Sequence, residues 1–369
     1  MKTQDLWHYP RTDLAQSVMN TLNSNIVHAL TLFAPRRMGK TEFLRKDIMP
    51  LAQSMGYRVF YFSFLDGVSE VIEERFIEAL QIFAIDSGYI HKGVSKLKET
   101  LKSVQVAGTG FELQETDKNY KQTNISQILS QLAESDKPTL LLLDEIQELV
   151  NIQQASGLVA SLRTGLDMNK DAIKVIFTGS SRNGLLAMFD DARAPFFHFS
   201  TNLDLPVLDD GFVSHLALVY EQITGKTISI SELIMAFNDL GRVPMQMRAL
   251  LKEVILDPTH NLDEARLKLG NSLASGQNYG AMWQGLKTLD RAVIQYMAQG
   301  GQTPYAQEVR NLLAQMTGMD AVSTQAVQTS IRRLTRQNHL TKNAHGDLVI
   351  SEQSLVRWVQ QMQDKTKTD

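Results

Sequence analysis

The 369-residue chain contains no cysteine. That absence excludes disulfide staples, thiol catalysis and zinc sites of the Cys type, and it is compatible with the reducing cytoplasm in which the protein is expected to work. No run of about 18 apolar residues occurs, so no membrane span is predicted. Met1-Lys2-Thr3-Gln4-Asp5 lacks the basic-then-apolar pattern of a secretory signal, and none is expected. Charge of one sign is also scarce. A net charge of −3 exerts no overall pull toward nucleic acid, although residues 281–369 carry ten Lys and Arg against seven Asp and Glu, leaving −6 on the remainder. No nuclease, protease or other effector motif is present, and no aromatic-Gly pore loop of a protein-threading motor. Hydrophobic residues at 43% and charged ones at 21% describe an ordinary globular composition, and the length calls for two or three cores.

What is there begins with Leu30-Thr31-Leu32-Phe33-Ala34-Pro35-Arg36-Arg37-Met38-Gly39-Lys40-Thr41. An apolar strand enters a tight loop, and Gly-Lys-Thr opens a helix beginning Glu42-Phe43-Leu44. Backbone N–H groups and the helix N-terminus of such a loop form an anion cradle. Lys40 would reach the β- and γ-phosphates of a nucleotide, and the Thr41 hydroxyl would ligate Mg2+. Ala34 stands where the usual pattern has its first Gly, so only Gly39-Lys40-Thr41 match strictly. The second component is Pro138-Thr139-Leu140-Leu141-Leu142-Leu143-Asp144-Glu145, a continuous apolar run that reads as a buried parallel strand ending in two carboxylates. At the carboxyl end of such a strand Asp144 would hold Mg2+ through water and Glu145 would polarise the attacking water; the alternative is that both cap the helix that follows, Ile146–Ile152. A third strand, Ile173–Phe177, ends in Thr178-Gly179-Ser180-Ser181. These hydroxyls would sense the γ-phosphate or orient the lytic water, or else form a turn or helix cap.

These residues resemble the AAA+ superfamily of P-loop ATPases, in the branch of archaeal-type ATPases, origin-recognition-like initiators and STAND signalling NTPases. Ala34–Thr41, Leu140–Glu145 and Phe177–Ser181 carry the resemblance, and Gly241-Arg242-Val243-Pro244 looks like the Gly-x-Pro signature of the helical lid. The likeness spans roughly residues 5–365. It implies ATP and Mg2+ as cofactors, and an α/β core with a parallel five-stranded sheet in which an extra strand separates the Lys40 and Asp144 strands. Residues Ala34 to Glu42 and Pro244 would then contact nucleotide, with Tyr9, Pro10 and Arg11 as candidates for the adenine edge; a surface turn is the alternative for the last three. After Ser181 two arginines bracket a short helix. Arg193 is the first candidate for a finger reaching the next subunit's γ-phosphate and Arg163 the second, against an arginine merely paired with Asp190 or Asp191.

Along the chain, Thr12–Leu22 reads as a helix, Arg58–Phe64 as a buried strand, Val71–Ser87 as an amphipathic helix and Phe196–Leu205 as the fifth strand. Val104–Leu113 alternates about Gly108-Thr109-Gly110 as a hairpin, and 115–123 is a loop. The α/β core is placed at 1–206 and the lid at 207–280, with helices Asp210–Thr224, Ser229–Leu240 and Val243–Leu256. Gly241 and Pro244 also fit a plain C-cap and first helical turn, and Arg248 lies one turn further on. Residues 281–369 read as a winged helix: helices Trp283–Gln299, Tyr305–Met316 and Ser323–Gln337, then two short strands in Leu340–Ile350 about His345-Gly346. On the third helix Val327, Ile331 and Leu334 form the buried stripe, while Gln325, Gln328, Thr329, Arg332 and Arg336 share the outer face. The composite expectation is an ATP-driven switch whose winged helix contacts DNA or a protein, with a homo-oligomer or a separate effector as partner.

Overall fold

The computed structural model describes residues 5–65, 72–86, 125–151, 156–189, 194, 196–257, 261–276, 279–342 and 347–368. Helix α1 (Thr12–Asn23) precedes strand β1 (Ala29–Phe33), and helix α2 runs as Lys40–Glu42, Phe43–Ile48 and Met49–Ser54. Then come β2 (Arg58–Ser63), α3 (Ile72–Asp86), α4 (Ile125–Ala133), β3 (Thr139–Asp144), a 3-10 turn (Ile146–Asn151), α5 (Ser156–Met168), β4 (Ile173–Gly179), α6 (Arg182–Phe189) and β5 (Thr201–Asp204). All five strands are parallel in the order β2-β3-β4-β1-β5, so β4 separates the lysine strand from the aspartate strand, as expected.

The sheet is covered on both faces, which is why β3 and β4 are buried at every position and carry the runs Leu140–Leu143 and Val175–Phe177. Side chains alternate with the strand period of two. Leu140, Leu142, Ile176, Leu30 and Leu32 join α1 and α2 in one core, whereas Leu141, Leu143, Val175, Phe177, Phe60 and Phe62 join α3, α4 and α5 in the other. Tyr61 falls on the α2 side, between two phenylalanines that face away.

Helix α2 contains Pro50, which has no N–H to give and whose ring would strike the carbonyl four residues back. The helix answers by widening: Phe43–Ile48 is π-helical, and the Met49 N–H donates to Leu44 O.

Four further helices, α7 (Asp210–Thr224), α8 (Ile230–Asp239), α9 (Pro244–Leu256) and α10 (Leu262–Gly276), enclose their own core around Phe212, Phe237, Met247 and Leu251. Asp209 caps α7 through the Gly211 N–H, and Ser229 caps α8 through that of Glu232. The last core belongs to α11 (Tyr279–Gly285), α12 (Thr288–Ala298), α13 (Gln307–Thr317), α14 (Thr324–Arg336), the antiparallel pair β6 (Leu340–Lys342) and β7 (Leu348–Ile350), and α15 (Gln353–Thr368).

Several elements differ from the sequence reading. The fifth strand is only Thr201–Asp204, because Phe196 and Phe199, three apart, turn together into the α3–α5 core instead of alternating. Ile146–Asn151 is a 3-10 turn. The helix expected at Trp283–Gln299 is two, broken where Lys287 is extended before α12. Helices α10 and α15 have no separate counterpart in the sequence reading. The hairpin at 104–113 and the loop at 115–123 lie outside the described residues, as does the His345-Gly346 turn.

Candidate functional site: a phosphate loop and its carboxylates

Strand β1 delivers the chain into the loop Ala34–Gly39. Gly39 has φ +91°, and a Cβ placed there would meet nothing within 4 Å, so the requirement for glycine is conformational and not spatial. Arg37 is also left-handed at φ +71°. Ala34 is not, so its methyl group, 2% exposed beneath the loop, carries no backbone penalty; the departure from the usual first glycine is accommodated at this position. Met38 is buried in the α1–α2 core while Pro35 and Arg36 are exposed. Lys40 is 4% exposed, and its ammonium donates to Ala34 O at 2.8 Å and Pro35 O at 3.2 Å and lies 3.4 Å from Glu145 Oε1. Burial pulls it below the ordinary lysine range, opposed by Glu145 and Asp144.

Asp144 closes β3. Its Oδ2 accepts from Thr41 Oγ1 at 2.6 Å and from the Tyr61 hydroxyl at 3.1 Å, and its Oδ1 accepts from Thr178 Oγ1. Consecutive residues of an extended strand would point to opposite faces. Glu145 avoids this by taking φ +56°, a strained value for a non-glycine residue, and its N–H is held by Thr178 Oγ1 at 3.2 Å. Glu145 Oε2 accepts from Ser180 Oγ at 2.6 Å, from Ser180 N at 3.1 Å and from Gln147 Nε2 at 2.6 Å. Burial alone would raise this carboxyl, but the Lys40 charge and these donors hold it below the ordinary range. Within the described hydrogen bonds neither carboxylate caps the following turn. Of the paired serines, Ser180 serves Glu145, whereas Ser181 Oγ accepts from the Gly184 N–H and caps α6.

The segment before α1 lies between the loop and helices α7 and α9. Arg11 donates to Met38 O at 3.4 Å and to Pro206 O, and the Tyr9 ring packs on Phe212 and His215 of α7. His8 Nε2 is 2.7 Å from Asp47 Oδ1, and Nδ1 is 3.7 Å from Glu42 Oε2; hydrogen bonds to Asp47 and then Glu42 push its pKa up to about 9. Glu42 is therefore engaged by His8, by Lys46 at 2.8 Å and by Arg248 of α9 at 3.2 Å. Arg248 also donates to Trp7 O. Gly241 and Arg242 are left-handed at φ +65° and +53°, Val243 packs against the core beneath the loop, and buried Pro244 opens α9.

Residues 11–194 match the model of an ATPase domain predominantly from Archaea. This segment belongs to that ATPase family. Solved structures share the fold over the whole length. The Walker-type ATPase PABY2304 of Pyrococcus abyssi matches with TM-score 0.65 and 14% identity, over 96% of this chain and 99% of that one. The ORC2 protein of Aeropyrum pernix, in its ADPNP–ADP complexes, matches with TM-score 0.58 and 13% identity, over 100% of this chain and 99% of that one. No curated protein matches the sequence.

Elsewhere in the ATPase, Arg193 lies outside the described residues. Arg163 pairs with Asp167 of its own helix at 3.5 Å and lies over the Phe199 ring. Gln325, Gln328, Thr329, Arg332 and Arg336 are all exposed on α14, remote from the phosphate loop in sequence and on the face opposite Val327 and Leu334. No described helix of the ATPase is long and apolar enough to cross a membrane. Tyr61 and Gln147 escaped the sequence reading. Tyr61 had a signal, since it is the polar-tipped residue alternating with Phe60 and Phe62 on the strand beside β3. Gln147, a lone amide after an acidic pair, had none.

Proposed function

We propose that the chain is a Mg2+-dependent, ATP-driven switch in which the core (1–206) and lid (207–280) enclose the nucleotide and a C-terminal winged helix (281–369) carries the output to DNA. The observation behind it is a junction: Ser181 Oγ donates to Asn338 Oδ1 at 3.1 Å, joining the residue beside Glu145's serine to the turn between α14 and β6. A change at the phosphate end of β4 is thus one hydrogen bond from the C-terminal unit.

The donor set fits Mg2+. Among the described residues no group of three or more His, Cys, Asp or Glu side chains is placed to hold a metal ion by itself. Mg2+ characteristically takes one or two protein oxygens plus substrate phosphates, and the Thr41 hydroxyl and Asp144 carboxylate supply such oxygens. When bound there it would neutralise phosphate oxygens. Lys40 exchanges the carbonyls of Ala34 and Pro35 for β- and γ-phosphate oxygens. Glu145 takes the proton of a water whose oxygen attacks the γ-phosphorus as the bond to the β-bridging oxygen breaks. Tyr61 and Thr178 hold Asp144, and Ser180 holds Glu145.

For DNA, α14 presents amides and guanidinium groups of the kinds that contact base edges and phosphates. The double change Arg332→Ala, Arg336→Ala should weaken binding to duplex DNA. It should also flatten the slope of log affinity against log salt by about 0.9 for each phosphate no longer neutralised. Basal ATP turnover should be unchanged. Fluorescence anisotropy over a salt series at saturating ATP, beside a turnover assay without DNA, reads both. A protein partner is the second reading, favoured by Leu312, Met316 and Met319, which are 41%, 38% and 46% exposed. It replaces the first if the wild-type protein shows no salt-dependent DNA binding in any nucleotide state.

A further inference from the structure

Gln147 sits two residues past Glu145 on the 3-10 turn and is 3% exposed. Its Nε2 donates to Glu145 Oε2 at 2.6 Å and to Glu148 Oε1 at 3.3 Å. With the two groups of Ser180, three donors converge on Glu145 Oε2. They saturate that oxygen, leaving Oε1, 3.4 Å from the Lys40 ammonium, as the one free to accept a further proton.

The Gln147 carboxamide is held in this sense at a cost. A carboxylate only accepts, so the amide must turn its NH2 toward Glu145, and its buried Oε1 is then left without a partner. Two glycines wall it in. A Cβ on Gly179 would lie 2.6 Å from Gln147 Oε1, and one on Gly184 would lie 2.7 Å from Gln147 Cβ. Neither glycine is left-handed, so what they supply is room for this side chain.

We propose that Gln147 is a positioning residue for ATP hydrolysis, tying off one oxygen of Glu145 so that the other alone faces the attacking water. The proposal rests on Glu145 as the general base.

Gln147→Met keeps the length of the side chain and removes the donor. ATP affinity by calorimetry and KM should stay within about twofold, while kcat falls on the order of 10-fold to 100-fold. Gly184→Ala, whose Cβ would lie 2.7 Å from Gln147 Cβ, should displace Gln147 and lower kcat in the same direction, with a lower Tm from the crowding. Gly184→Ala also serves as the readout if Gln147→Met does not fold. Wild-type kcat in these variants, or a KM that rises in step with the fall in kcat, overturns the proposal. Glu145→Gln in the same assay separates the two ideas. Its full activity removes the base assignment itself, whereas an inactive Glu145→Gln beside a wild-type Gln147→Met removes only the role of Gln147.

Discussion

Around the phosphate loop and its two carboxylates polar side chains are buried and spend their hydrogen bonds on one another, whereas on the outer face of α14 they stand in solvent. Asp144 is 1% exposed and accepts from Thr41, Tyr61 and Thr178, each from a different element. Arg332 and Arg336 are exposed and have no ion pair among the described residues. Their neighbour Arg333 shows the contrast within a single helix: its Nε and one terminal nitrogen each lie 2.6 Å from the carboxylate of Asp290, which is 1% exposed and also bound by Ser330. A buried polar group must be satisfied internally, so its geometry declares its role; an exposed one is free to wait for a partner.

The largest effect should follow from Lys40→Ala, which removes the buried ammonium held against the Ala34 and Pro35 carbonyls. ATP binding should vanish, and an isothermal titration with wild-type affinity would reject this loop as the nucleotide site. Glu145→Gln comes next, with affinity kept and hydrolysis slowed by about 10²-fold or more in a single-turnover assay. The comparison along α14 sharpens at Arg333→Ala. That change should cost roughly 2–4 kcal/mol in the C-terminal unit by stranding Asp290, visible as a lower Tm, while Arg332→Ala with Arg336→Ala leaves Tm unchanged. Equal Tm values for both variants would erase the distinction between them.

The smallest effect is pH-dependent. The pKa of His8 is raised to about 9 by Asp47 and Glu42, so protonated His8 stabilises the fold fully below its unfolded value near 6.5. That contribution is lost as pH rises through about 9. Allowing for solvent screening of a half-buried group, His8→Ala should cost about 2 kcal/mol near pH 6 and almost nothing near pH 10. A constant cost across denaturant melts at both pH values would exclude the charged contact.

The sheet and the loop were legible because their patterns are local. Leu140–Leu143 followed by Asp144 and Glu145 marks a doubly covered strand and its functional end, and Gly39-Lys40-Thr41 marks a helix opening. The place of β4 between β1 and β3 came from resemblance, since no local pattern encodes strand order. What stayed hidden depends on distant partners. Thr178 reads as one hydroxyl among several until the fold brings it to both Asp144 and the Glu145 N–H. His8 meets Glu42 and Asp47 only once the chain folds back along α2. The fifth strand was overread because Phe196 and Phe199 are as consistent with a strand as with a buried turn.

Pro50 has a reach beyond its own turn. Leu44, Ile48 and Ala52 recur every four residues, a spacing that drifts by about 80° over two intervals in a regular α-helix. The π-helical stretch takes back part of that drift, much as a surveyor closes a traverse by distributing its error. The hydrophobic row Leu44, Ile48 and Ala52 stays packed with α1 and the sheet through the π-helical stretch that precedes Pro50. To a comparison of sequences the same feature is a one-residue insertion, so a relative without Pro50 should be able to lose one residue between Phe43 and Ile48 and still aim its threonine at the aspartate that Thr41 meets here.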